Sequence, residues 1–394
     1  MSEFEKRTMN ELGAGAAAGR NTGFAHLDAM RAVAACVVVH NHCWNVLVRN
    51  YQGSDGALWK IPYTLAGLAP DAVIVFFVIS GFWITSSVVG RVERGTWSWP
   101  DYAIDRLSRL WLVLIPVVVL GCLLDAIGRY GLGVPLYLGT QGARFQTIDV
   151  ADHLTLPIAV GNILFLQLLV VPTVGSNGPL WSLANEFWYF FWFPSFFLLW
   201  QRKGANPIMA LIALGTMVLF SSLIVGFGCW LMGSLAFFLL PSAKAMLMGR
   251  PALRRLSLLV AGAALVCALV VPRLLHFDYQ AHSLIVAFGM MVVVLATSAA
   301  NLRLPPLLGG LATYGANASY SLYALHFPVM LLIATLFVAY RPLEPSIGSM
   351  VLCLLLWAAL IAIAYAFSMI AERPTPLVRA RMKALLKGWA GRRI

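Results

Sequence analysis

The sequence predicts an all-α polytopic membrane protein with about ten transmembrane helices. Apolar residues make up 60% of the 394-residue chain and charged residues only 11%, with a mean hydropathy of +0.81. Soluble domains carry about 25% charged residues. Ten apolar segments are long enough to cross a bilayer: residues 28–48, 66–88, 107–127, 180–200, 206–225, 226–241, 254–272, 282–300, 314–339 and 346–370.

The basic residues orient these segments. If the N-terminus lies inside, 22 of the 28 Lys and Arg residues fall on the cytoplasmic side, which is the asymmetry that membrane proteins show. We therefore expect both termini in the cytoplasm. The net charge of +12 has the same origin. No basic stripe is interleaved with aromatic residues, so no nucleic-acid partner is expected.

The chain divides into three regions. Residues 1–24 are predicted to be a disordered cytoplasmic N-terminus, residues 25–374 a transmembrane domain, and residues 375–394 a basic cytoplasmic tail. The tail has an apolar side and is expected to lie on anionic membrane lipid. An apolar stretch at 154–172 is interrupted by Pro157 and polar residues, which favours a re-entrant or interfacial element outside.

The first apolar segment carries Arg31 and His42. Eleven residues of helix turn the chain through three turns plus about 20°, so both side chains point to one face, about 16 Å apart along the axis. If Arg31 marks the cytoplasmic edge, His42 lies near the middle of the membrane, because 16 Å is about half the hydrocarbon thickness. An ionisable group at that depth usually has a task. A neutral imidazole there can act as a general base. His40 points to another face and is interpreted as structural.

Arg106 and Arg109 open the third segment. An arginine pair at i and i+3 presents one face, and guanidinium groups match phosphate oxygens bidentately. The pair is therefore either ordinary cytoplasmic charge or a phosphate clamp.

Two further segments combine polar and aromatic residues. Glu186, close after Trp181 in the fourth segment, needs a partner or a pore to face. It would hold a salt bridge, orient a histidine or bind the substrate. Tyr323 and His326 lie in the ninth segment, with His326 near mid-membrane. His326 is either structural or a second cavity histidine.

Other features have simpler interpretations. Residues 76–82 contain small residues that suit close helix packing. Asp71 and Asp125 lie toward the ends of their segments and are expected to be hydrated. The six cysteines have no paired spacing, so neither a disulfide framework nor a metal site is indicated.

Six segments, in order, resemble the acyltransferase 3 family from about Phe24 to Pro374. Leu27-Asp28-Ala29-Met30-Arg31 with His42 resembles its opening Leu-Asp-x-x-Arg and its Arg-ten residues-His motif. The other five matching segments are Phe76–Thr85, Arg106–Arg109, Trp181–Pro194, Ser319–His326 and Glu372–Pro374. The chain departs from the family pattern at Asn41, where Tyr or Phe is common, at the extra His40, and in the run that follows Arg109.

The resemblance implies transfer of an acyl group, often acetyl, from cytoplasmic acyl-CoA to a hydroxyl. Implied acceptors are glycans of the cell surface, exported saccharides and some small molecules. The expected activity is therefore O-acyl transfer, in particular O-acetylation, of a glycan or another surface or exported acceptor, as in polysaccharide modification, in a cytoplasmic (inner) membrane. His42 would be the catalytic histidine and Arg31 its partner, while Arg106 and Arg109 would contact the donor. Glu186 would orient the acceptor or the imidazole, and Tyr323, His326 and Trp181 would line the cavity. A separate soluble extracytoplasmic enzyme could act as partner.

Two questions stay open from the sequence. His42 could act as a base or carry the acyl group briefly. Polar groups at mid-membrane also suit a transporter or exporter of an acylated or lipid-linked molecule, although no convincing internal repeat is found. A membrane scaffold without chemistry would leave the shared face of Arg31 and His42 unexplained.

Overall fold

The computed structural model describes residues 24–139, 148–338 and 341–390, which contain thirteen α-helices and no β-strand. The predicted disordered segment 1–24 lies almost wholly outside these residues. The helices are α1 (Ala25–Leu47), α2 (Ala57–Ala66), α3 (Ala69–Glu93), α4 (Trp99–Ala126), α5 (Leu156–Ile163), α6 (Trp181–Gln201), α7 (Pro207–Leu219), α8 (Ile224–Leu247), α9 (Pro251–Leu274), α10 (Tyr279–Ala299), α11 (Pro306–Val338), α12 (Ile347–Ala371) and α13 (Thr375–Ala390). The predicted all-α class is confirmed.

Seven helical stretches in the described residues are long and apolar enough to cross a membrane, so the protein is a multi-pass membrane protein. Two further predicted spans, 28–48 and 180–200, are the helices α1 and α6, of 23 and 21 residues. Neither helix is among the seven apolar stretches. Polar residues lower the mean hydropathy of α1, and Trp, Tyr and polar residues lower that of α6. The total of ten spans and the cytoplasmic termini stay predictions.

Two predicted segments differ in detail from the structure. The segment at 206–225 is the 13-residue helix α7 followed by a 3-10 turn, and α7 alone is about 20 Å long, shorter than the hydrocarbon layer. The stretch at 154–172 is the short helix α5 followed by turns. Asn162 holds these turns, because its amide donates to the carbonyl of Pro172 and its oxygen accepts from Val174 N–H.

The described chain forms two compact units. Unit one contains residues 24–34, Asp71–Ser98 and Asn185–Ala316, and unit two contains the described residues among Ala35–Pro70, Trp99–Ala184 and Asn317–Ile394. The divisions at 34/35, 184/185 and 316/317 fall within α1, α6 and α11.

Glycines let α3 and α8 approach backbone to backbone in unit one. A Cβ built on Gly81 would lie 2.0 Å from the carbonyl oxygen of Trp230, and one built on Gly233 would lie 1.8 Å from that of Val78. Any side chain larger than hydrogen would separate the helices at both points. The packing role predicted for residues 76–82 is therefore present, and the partner is α8.

The expectation that Asp71 and Asp125 are hydrated is wrong, because both side chains are buried. In unit one, the carboxylate of Asp71 pairs with the guanidinium of Arg273 and lies 2.7 Å from Nε2 of His282. In unit two, the carboxylate of Asp125 accepts the backbone N–H and the hydroxyl of Ser176, at 2.7 and 2.8 Å. Position near a helix end does not expose a carboxylate when a neighbouring loop or helix end supplies its partners.

Helix α4 is central to unit two, since α5, α12 and α13 all pack on it. The tail helix α13 is joined to α4 by ion pairs: Asp105 lies 3.3 Å from Arg379 Nε and 2.7 Å from Lys383 Nζ. The tail is therefore attached to the helix that carries Arg106 and Arg109.

Charged loop residues of unit two also pair. Arg49 contacts Asp55 at 2.6 Å and Glu344 at 2.5 Å, and Arg129 contacts Asp149 at 2.7 Å. Hydrogen bonds from the arginines lower the pKa of Asp55 and of Asp149 from the ordinary aspartate value. Both carboxylates therefore stay ionised at neutral pH, and both loops keep their ion pairs.

Replacing Gly233 with Ala should lower the stability of unit one. The new methyl group would displace α3 from α8, and overpacking of this kind costs about 1–3 kcal/mol. Thermal unfolding of purified protein in detergent measures the effect. Gly262→Ala is the matched control, because a Cβ on this glycine in α9 meets nothing within 4 Å. Equal melting temperatures for the two variants would contradict the close approach.

Candidate active site

Two histidines from distant parts of the sequence meet in unit two. Nδ1 of His42 on α1 lies 2.8 Å from Nε2 of His326 on α11. The ring planes are inclined by 18°, with centroids 5.0 Å apart, so the rings approach edge to edge. His326 is 1% exposed, whereas His42 is half-buried. His42 is therefore the accessible member of the pair.

Backbone carbonyls determine the tautomer of this pair. Nδ1 of His326 lies 2.8 Å from the carbonyl oxygen of Tyr323 and 3.0 Å from that of Leu322. A carbonyl oxygen only accepts, so Nδ1 of His326 carries the hydrogen and Nε2 is its acceptor. His42 must then donate from Nδ1. In the neutral pair, Nε2 of His42 is the unprotonated nitrogen, which is the basic position.

The turn before α6 and the first residues of α6 fix the helix segment that carries His326. Ser182 donates a hydrogen bond of 2.7 Å to the hydroxyl of Tyr323, which donates to the carbonyl of Pro179 at 3.0 Å. The amide of Asn177 donates to the carbonyl of Ala324 at 2.9 Å. The predicted cavity residue Tyr323 is thus a buried support of His326, and Trp181 is half-buried beside Ser182.

The residues that shape this turn are hard to predict from sequence patterns. Gly175 has a φ of 55°, and a Cβ there would lie 2.1 Å from the carboxylate of Asp125. Asp125 in turn holds Ser176. A single glycine followed by Ser and Asn suggests a turn, but not its buried carboxylate partner.

Arg106 and Arg109 lie near the start of α4. Arg106 is half-buried, with its guanidinium 5.1 Å from the centre of the Tyr102 ring, and Arg109 is exposed. Next to them, the hydroxyl of Tyr320 donates to the carbonyl of Leu110 at 3.2 Å. This bond joins the arginine segment to α11. From Tyr320 to His326 helix α11 rises about 9 Å. His326 therefore lies about 9 Å along α11 from the residue that contacts the arginine segment.

Two predicted site residues belong to unit one. Glu186 accepts a hydrogen bond of 2.9 Å from Ser80, whose oxygen accepts from the indole N–H of Trp230 at 3.3 Å. Ser80, interpreted from the sequence as packing, therefore also holds a carboxylate. Arg31 lies 4.0 Å from Asp28 on its own helix. Because α1 is continuous from Ala25 to Leu47, the predicted spacing of Arg31 and His42 along the helix holds.

His40 has a structural environment in unit two. Its Nε2 lies 3.3 Å from the carbonyl oxygen of Pro62 on α2, so this nitrogen donates. The ring also contacts Trp44, with centroids 6.3 Å apart. This arrangement agrees with the structural role predicted for His40.

The comparison with known families decides the class. The model of the acyltransferase 3 family, described as an acyltransferase domain, matches residues 24–373. The protein belongs to the acyltransferase 3 family. It is therefore a membrane acyltransferase, and the resemblance found in its six sequence segments is confirmed. No curated protein and no solved structure gives a significant match to this acyltransferase.

Loss of the carboxylate at Asp105 should release the tail of this acyltransferase. Asp105→Asn removes the negative partner of Arg379 and Lys383, so trypsin should cleave within α13 several-fold faster. Limited proteolysis followed by mass spectrometry measures this rate. Asp101→Asn, one turn earlier on α4, is the control. Cleavage of Asp105→Asn at the wild-type rate would show that the ion pairs do not hold the tail.

Proposed function

We propose that this acyltransferase moves an acyl group, acetyl in particular, from acyl-CoA to a hydroxyl, with His42 as the general base. The supporting observation is the hydrogen bond between Nδ1 of His42 and Nε2 of His326. It leaves Nε2 of the half-buried His42 as the basic nitrogen. A group that accepts a proton and returns it is what acyl transfer from a thioester requires.

The transfer can be written with each proton accounted for. Nε2 of His42 takes the proton of the acceptor hydroxyl while the oxygen attacks the thioester carbonyl carbon. The new C–O bond forms and the C–S bond breaks. The leaving thiolate takes the proton back from Nε2. While His42 is an imidazolium, its Nδ1–H stays bonded to His326, which stabilises the positive charge.

We assign Arg106 and Arg109 to the phosphates of the donor. Guanidinium groups bind phosphate oxygens bidentately, and the family resemblance supports the same assignment. The link between Tyr320 and Leu110 supports a donor that extends along α11 from the arginines toward His326. The extended pantetheine arm of acyl-CoA suits this arrangement.

The acceptor is proposed from the family resemblance as a hydroxyl of a glycan or of another surface or exported molecule. From the same resemblance, Glu186 is proposed to orient the acceptor or the imidazole, Trp181 to line the cavity, and Arg31 to be the partner of His42. In this proposal the enzyme works in the inner membrane. A separate soluble extracytoplasmic enzyme could complete the modification.

His42→Ala should lower coenzyme A release from acetyl-CoA by about 100-fold or more, because general-base catalysis contributes about 10²–10⁴-fold. His326→Ala should lower it about tenfold to 100-fold, because a hydrogen bond to a charged group contributes about 1.5–3 kcal/mol. The assay uses protein in nanodiscs, with and without a crude cell-envelope glycan fraction.

His40→Ala is the control for this assay, and its activity should stay close to wild type. Each variant is checked for an unchanged gel-filtration profile and melting temperature. Release that persists in folded His42→Ala protein would contradict the role of His42. Full activity in His326→Ala would contradict the role of the pair.

Replacing both Arg106 and Arg109 with Gln should raise the KM for acetyl-CoA about tenfold or more, because two charged hydrogen-bonding groups are lost. The kcat at saturating donor should change less. Steady-state kinetics with varied acetyl-CoA measures both constants, and Arg94→Gln in the preceding loop is the control. An unchanged KM in the double variant would remove these arginines from the donor site.

A further inference from the structure

A second basic site lies in unit one, distant in sequence from the arginines assigned to the donor. A cavity of about 290 Å³ opens where α9 begins and where α10 is followed by a loop. Three arginines line it, Arg254 and Arg255 from α9 and Arg303 from the loop. The basic-residue asymmetry assigns both segments to the cytoplasmic side.

The loop that forms one wall has a defined backbone shape. Helix α10 ends in a Schellman motif, in which Leu302 N–H bonds the carbonyl of Thr297 and Asn301 N–H bonds that of Ser298. Asn301 takes the left-handed conformation with a φ of 50°. The guanidinium of Arg254 donates to the carbonyl of Ala300. Arg254 thus holds the loop, while Arg255 and Arg303 add charge to the cavity.

The charge of this cavity is not balanced by carboxylates. No acidic residue lines it, and within the part of the chain that the structure describes none of the three arginines forms an ion pair. Three guanidinium groups around one concavity repel one another, so an anion would stabilise the arrangement. The first turn of α9 adds the positive end of a helix dipole at the same place.

Apolar surface continues from the cavity. Leu258 lines it, and Leu259 on α9 and Leu307 at the start of α11 are more than two-thirds exposed. Of the seven membrane-spanning stretches, α9 is the least covered by the rest of the chain, with 17% of its apolar window buried. A molecule bound at the arginines would therefore have lipid-facing helix beside it.

We propose that this cavity binds a phosphate that carries acyl chains, the headgroup of an anionic phospholipid. Arg255 and Arg303 would bind the phosphate oxygens, and the chains would lie along the exposed apolar face of α9. Basic pockets at the cytoplasmic ends of transmembrane helices suit such headgroups. A free phosphate would bind the same guanidinium groups but would gain nothing from the apolar face. The proposal does not depend on the acyl-transfer mechanism.

Native mass spectrometry of the full-length protein in detergent tests this proposal. The probes are dioctanoyl phosphatidylglycerol, dioctanoyl phosphatidylcholine, inorganic phosphate and coenzyme A. The variant is Arg255→Gln with Arg303→Gln, in which Arg254 still holds the loop. The control is Arg202→Gln with Arg250→Gln, which removes the same charge from unit one outside the cavity. Melting temperatures establish that both proteins are folded.

We expect phosphatidylglycerol to bind the wild type and the control with equal affinity. Its affinity for the cavity variant should be lower by about tenfold or more. Phosphatidylcholine should bind all three weakly, and inorganic phosphate should not displace the anionic lipid. Equal affinity of the cavity variant and wild type would overturn the proposal. Displacement of the lipid by inorganic phosphate would indicate a free-phosphate site. Displacement by coenzyme A would indicate a donor site. Either result would overturn the assignment to lipid.

Discussion

The chemistry proposed for this acyltransferase depends on one hydrogen-bonding constraint. Backbone carbonyls of α11 can only accept, so they fix the hydrogen of His326 on Nδ1. Nε2 of His326 is then unprotonated, so it must accept the hydrogen bond from Nδ1 of His42. A histidine without such a partner could adopt either tautomer. The buried His326 therefore makes Nε2 of His42 the basic atom, and the residues around Tyr323 serve to hold His326 in place.

In the same unit, polar bonds connect the basic start of α4 with the helix that carries the buried His326. Helix α4 carries Arg106 and Arg109, and α11 carries His326. The bond from Tyr320 to Leu110 sets the register between these helices. Asp105 adds the tail helix to the same end of α4. Because Asp105 is buried, its carboxylate would be costly to leave without a partner.

Local patterns in the sequence were sufficient for the fold class and for the single helix that carries both Arg31 and His42. Helix periodicity carries that information over one or two dozen residues. The contact between His42 and His326 spans 284 positions, and no spacing rule predicts it. For the same reason Ser80 was interpreted as packing alone, although it also binds Glu186. Asp71 and Asp125 were misjudged because their partners come from distant loops and helix ends.

The most direct test of the account is ¹⁵N NMR of the histidine side chains in nanodiscs at neutral pH, assigned by removing His42, His326 and His40 one at a time. In the proposed histidine pair, Nδ1 of both His42 and His326 is protonated, and Nε2 of both should resonate as an unprotonated nitrogen. A protonated Nε2 on neutral His42, or spectra of His42 that do not change when His326 is replaced, would contradict the proposed histidine pair.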